Sequence, residues 1–63
     1  MYTYIIYQDD KEIKKFQDQE TDLNAFKFMQ QIQGQSISYA IKHSGYKIKE
    51  IDQETGESEF WEA

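Results

Sequence analysis

Gly34 divides the middle of the chain into two helical patterns, and no other feature constrains the fold as strongly. Before it, Leu23, Phe26, Met29 and Ile32 recur every third residue, which places an apolar stripe along one helix. Asp22 stands where a carboxylate can accept a bond from a free N–H of the opening turn. Gly34 supplies the left-handed conformation that ends such a helix. After it, Ser36 can cap a second helix carrying Ile37, Ala40 and Ile41, and Gly45 closes that one. The competing reading is one long helix running through Gly34, at a cost of about 1 kcal/mol relative to Ala.

The flanks read as strand. Tyr2–Gln8 (YTYIIYQ) is rich in β-branched and aromatic residues and carries apolar side chains on both faces, so it belongs at the centre of a sheet. Asp9-Asp10-Lys11 is a turn, since Asp tolerates turn geometry and bonds its own backbone. Glu12–Gln17 returns as a second strand anchored by Ile13 and Phe16. Their odd spacing calls for a bulge, or for a strand that leaves the sheet near Phe16. Tyr46 and Ile48 share one face of a third strand, and Lys47 and Lys49 share the other. Asp52–Gly56 (DQETG) is a hairpin turn with Gly56 where φ must be positive, and Glu57–Trp61 is a candidate fourth strand. The alternative for residues 52–63 is an acidic tail. The order β-β-α-α-β, with or without a fourth strand, describes an α+β domain: a small antiparallel sheet with the helices packed on one face.

Sixty-three residues make one domain, 1–63. A chain of this length buries only about 60% of the surface its unfolded form exposes. It has no Cys, so no disulfide can staple the core. Its aromatic residues must hold the core, alone or with the help of a partner or a second copy. No apolar run approaches the roughly 20 residues of a membrane span, and no signal-peptide pattern opens the chain. The expectation is a cytoplasmic protein. Gln8, Gln17, Gln19, Gln30, Gln31, Gln33, Gln35 and Gln53 are dispersed and read as solvated surface.

The net charge of −5 is unevenly spread. Between Leu23 and Lys49 the charged side chains are Lys27, Lys42, Lys47 and Lys49, with His43 beside them. From Glu50 onward come Glu50, Asp52, Glu54, Glu57, Glu59 and Glu62, and no base. Catalysis is poorly supported. His43 has no identifiable partner, the carboxylate pairs Asp9/Asp10 and Glu57/Glu59 fall on turn and strand, and the glycines are isolated. No Cys/His or calcium-loop spacing occurs. The expectation is a protein that is not an enzyme and takes no cofactor or metal.

Two surfaces carry functional readings. The first is the acidic end: Glu54, Glu57, Glu59 and Glu62 around Trp61. Aromatics dominate binding hot spots, and carboxylates steer a basic partner toward them. A small acidic chain of this kind is similar in type to the proteins that phages make against host nucleic-acid machinery, anti-CRISPR proteins among them. That resemblance implies an inhibitor whose partner is a host protein with a basic nucleic-acid-binding surface, occupied by carboxylates in place of phosphate.

The second surface is the second helix with the residues on either side of it: Gln35, Ser36, Ser38, Tyr39, Lys42, His43 and Lys47. A short helix after a Gly turn is how helix-turn-helix proteins present side chains to the major groove. YIIYQDDKEIKKF, LNAFKFM and GQSISYAIKHSGYKIKEI together resemble the small helix-turn-helix repeat appended to phage and intron homing endonucleases. The resemblance spans Tyr2 to Ile51 and implies a DNA-binding module. The chain departs from it at Asn24-Ala25, where the repeat has Ala-Ala, and in having no Arg, the commonest reader of guanine. A third reading is an oligomeric structural subunit, such as a homodimer, paired through an exposed sheet edge.

Overall fold

The computed structural model describes residues 1–32 and 34–63. Gln33, expected on the solvated surface, lies outside the described residues. In chain order the elements are β1 (Tyr2–Gln8), β2 (Lys11–Gln19), α1 (Leu23–Gln31), α2 (Ile37–His43), β3 (Tyr46–Asp52) and β4 (Ser58–Phe60). The strands form one antiparallel sheet in the order β2-β1-β3-β4. The apolar strand β1 is therefore central, and the last hairpin adds β4 as an edge. The fold is α+β, with separate short helices on either side of Gly34, where φ is +66°.

The first hairpin turns on Asp9 and Asp10 alone, because Gln8 pairs with Lys11. Both turn residues have positive φ, 51° and 66°, as a two-residue type I′ turn requires. β2 then carries two irregularities. Ile6 faces Lys14 while Tyr7 faces Glu12, so Ile13 is the extra residue of a bulge. Ile13 does not anchor the core as its position in the strand suggested; it is 43% exposed. Phe16 sits opposite Tyr4 and packs on the core, its ring edge-on to Phe28 at 6.1 Å. The second irregularity, near Asp18 (φ 56°), lets β2 run on to Gln19, beyond the expected end at Gln17.

Residues directly opposite one another in a ladder project to the same side. Tyr4, Ile6, Tyr46 and Ile48 thus share a face, and they are buried there against Ala25, Met29 and Ala40 of the two helices. Thr3, Ile5 and Tyr7 project to the opposite face, which neither helix covers. Ile5 is nonetheless only 9% exposed, flanked in register by Lys15 and Lys49, whose methylene stems can lie along it.

The helical stripe needs correction. Leu23 is 53% and Phe26 41% exposed, while the buried residues of α1 are Ala25 and Met29, with Phe28 and Ile32 packed beside them. At 3.6 residues per turn, a strict spacing of three drifts about 60° at each step. Leu23 and Ile32 therefore lie on opposite sides of the helix. The expected cap is corrected too. Asp22 occupies the N-cap position with φ −83° and ψ 8°, outside the extended region that aims a capping side chain at the first turn, and its carboxylate makes no capping bond. The Thr21 hydroxyl accepts from Leu23 N–H instead, at 3.3 Å. For α2 the expected cap is present: Ser36 Oγ accepts from Tyr39 N–H at 3.1 Å.

Gly45 joins α2 to β3 with φ +74°, and a Cβ there would run into the Asp9 carboxylate. The same close approach lets Asp9 N–H donate to the Gly45 carbonyl at 3.0 Å. The last hairpin is closed by Asp52 N–H to the Glu57 carbonyl and Gly56 N–H to the Asp52 carbonyl, both 2.8 Å. No helix among the described residues is long and apolar enough to cross a membrane.

Candidate protein-binding site

β4 and the start of each helix border an open groove of about 670 Å³. Phe26 of α1, Ile37 of α2 and Trp61 supply its apolar walls, and Asp22, Glu59 and Glu62 supply carboxylates. Trp61 is fixed from both sides. Its N–H donates to the Ile48 carbonyl at 2.9 Å, and its ring meets Tyr4 edge to face. A second groove of about 270 Å³ lies alongside, lined by Tyr2, Glu50, Asp52, Glu57, Ser58 and Glu59. Glu59 lines both.

Strand parity gathers this charge. In β3, Glu50 and Asp52 continue the helix-side set begun by Tyr46 and Ile48, and Glu59 stands opposite Glu50. Lys47 and Lys49 project to the uncovered face. Among the described residues no lysine lines either groove. The one ion pair among those residues is Lys47 Nζ to Asp10 Oδ1, 3.2 Å, on the far side of the sheet. The effect of the acidic side reaches the core. Burial pushes the Tyr4 phenol up to about 12, and the negative charges of Glu50 and Asp22 add to that.

Of the residues singled out in the acidic end, Glu57, Glu59, Trp61 and Glu62 come together along the two grooves. Glu54 lies outside them, in the turn before β4, where its N–H bonds the Asp52 carboxylate at 2.9 Å. Trp61 is half-buried, while its neighbour Phe60 is 53% exposed. Sequence reasoning missed Asp22, Phe26, Ile37, Glu50 and Asp52. The last two were discoverable by extending the alternation of Tyr46 and Ile48 two further steps. Asp22, Phe26 and Ile37 left no local signal, because only the tertiary fold sets the helices beside β4.

The residues of the DNA-binding alternative are dispersed. Gln35 Oε1 accepts from the Ser44 hydroxyl at 2.9 Å, and Ser36 caps α2, so these two hold the ends of the helix. Ser38 lines the acidic groove, and Lys47 pairs with Asp10 beyond the sheet. Tyr39, Lys42 and His43 stay exposed on α2, with the Tyr39 and His43 rings 4.8 Å apart. Lys42 in the last turn suits the negative end of the helix dipole. Among the described residues no three His, Cys, Asp or Glu side chains are grouped to hold a metal ion.

No protein-family model, no curated protein and no solved structure matches this chain.

Proposed function

We propose that this chain is a non-catalytic binding protein whose acidic side engages a basic partner. A phage or mobile element could use such a protein to block the nucleic-acid channel of a host protein. The observation that carries the reading is the pair of adjoining grooves sharing Glu59, lined by Asp22, Glu50, Asp52, Glu57, Glu59 and Glu62 and, among the described residues, by no cation. Basic channels evolved for phosphate attract such an array by the same long-range forces. The aromatic walls add an apolar contact that phosphate lacks.

The test is a salt titration of the intact protein against fluorescent oligoarginine and against random duplex DNA. Oligoarginine should bind, bind less tightly as salt rises, and bind more weakly to the double variant Glu57→Lys, Glu59→Lys. Equal binding by that variant would defeat the proposal. So would salt-sensitive binding of duplex DNA that Lys42→Ala abolishes, which would move the function to α2.

A further inference from the structure

The two edges of the sheet are not equivalent. β2 is blunted against strand pairing by two bulges and by Lys11, Lys14 and Lys15 along its length. β4 has no register irregularity and carries no lysine. Its hydrogen-bonding direction follows from the hairpin. Asp52 and Glu57 form one bonded pair and Ile48 and Trp61 another, and Glu50 and Glu59 fall on the same alternation between them. The backbone N–H and C=O of Ser58 and Phe60 therefore point away from β3, along the free edge. That edge borders the 670 Å³ groove.

We propose that β4 and this groove accept an extended segment of a partner as a fifth strand, with Arg at alternate positions. This rests on the acidic-side reading and names the form of the partner. Main-chain bonds to Ser58 and Phe60 would supply sequence-independent affinity, as in other strand additions. A strand laid along β4 alternates its side chains between the faces. One set turns to the helix side, over Phe26 and Trp61 and beside Glu59 and Glu62. Arg fits there because its guanidinium stacks on aromatic faces and forks onto carboxylates. The other set lies beside Phe60, which is 53% exposed, and favours β-branched apolar residues.

The probe is a peptide of alternating Arg and Val, titrated into the intact protein. Ser58→Pro removes an outward N–H and no bond to β3, so it leaves every carboxylate and the ladder in place. It should weaken the peptide at least about tenfold, and Glu59→Lys should do the same. A peptide N-methylated on the amides facing β4 repeats the test without altering the protein and should also bind more weakly. Hydrogen exchange at Ser58 and Phe60 should slow when the unmodified peptide is bound. Failure of that peptide to bind at low salt defeats both the acidic-side reading and this one. Binding that Glu59→Lys weakens, but Ser58→Pro and N-methylation leave unchanged, overturns strand addition and leaves the acidic-side reading standing. Slow exchange at Ser58 and Phe60 without peptide, with the mass of a dimer, makes a second copy the occupant and overturns the proposal.

Discussion

The rings of Tyr4 and Trp61 meet edge to face, with centroids 6.2 Å apart and planes at 70°. This contact ties the last residues of the chain to the central strand, although only three residues of β4 join the sheet. Edge-to-face pairs contribute about 0.5–1.5 kcal/mol beyond the area they bury. Trp61→Ala also deletes a half-buried indole, so the expected loss is about 2 kcal/mol, below the range for fully buried aromatics. Urea melts measure the loss, and hydrogen exchange locates it. Amides of β3 that bond to β4 should exchange faster than those that bond to β1. Uniform acceleration would mean that Trp61 supports the whole fold and not its last strand.

Tyr4 also makes stability depend on alkaline pH. Tyr4 is 2% exposed, and burial raises its phenol to about 12, with Glu50 and Asp22 adding to the effect. Below about pH 10 both the folded and unfolded chains hold this proton, and it contributes no slope. Between about 10 and 12 the unfolded chain releases the proton first, so stability falls as pH rises, by a total on the order of 2 kcal/mol. Tyr4→Phe removes this component. Urea melts of both proteins at about pH 9 and about pH 12 should show the smaller drop in the variant. Equal drops would place the cause elsewhere.

The features legible in the chain and those that were not divide along the range of the interactions involved. The element order was legible because each turn announces itself within a few residues: Asp9-Asp10, Gly34 then Ser36, Gly45, and DQETG. The odd spacing of Ile13 and Phe16 signalled an irregularity in β2, but the bulge falls on Ile13 itself and leaves it exposed, where the sequence had it anchoring the core. The helical face was misjudged because Leu23, Phe26, Met29 and Ile32 match a period of three, whereas packing on the sheet selects Ala25 and Met29. Ala25 is the smallest residue there, and close approach to the sheet favours it. The site was half legible. The acidic end marked Glu57, Glu59 and Glu62, but nothing near Asp22 or Phe26 tells that α1 lies beside β4.

Asp10→Gly should stabilise the protein. Asp10 holds φ at 66°, a conformation that costs a non-glycine residue energy and that glycine adopts freely. The change converts the turn to Asp-Gly, a favoured pair for a type I′ hairpin. It forfeits the ion pair with Lys47, but those side chains are 84% and 57% exposed, and an exposed pair contributes little. The expected gain is about 0.5–1 kcal/mol in a chemical melt. A net loss would show that Lys47–Asp10 holds the hairpin more strongly than exposed pairs do.

The two helix caps make opposite forecasts for the same substitution. Ser36 Oγ accepts from Tyr39 N–H, so Ser36→Ala leaves that donor without its side-chain partner and should cost about 1 kcal/mol. Asp22 also stands at an N-cap, but its carboxylate makes no capping bond, and the neighbouring Thr21 hydroxyl bonds Leu23 N–H. Asp22→Ala should therefore cost well under the roughly 1 kcal/mol of a capping residue. It also removes one carboxylate from the rim of the groove, so it should weaken oligoarginine binding while leaving the melt nearly unchanged. Ser36→Ala should do the reverse, lowering stability with little effect on binding. Denaturant melts and oligoarginine titrations of the two variants check both halves. If Asp22→Ala destabilised the protein as much as Ser36→Ala, its carboxylate would be acting on the helix, and the groove would lose one of its charges as a binding element.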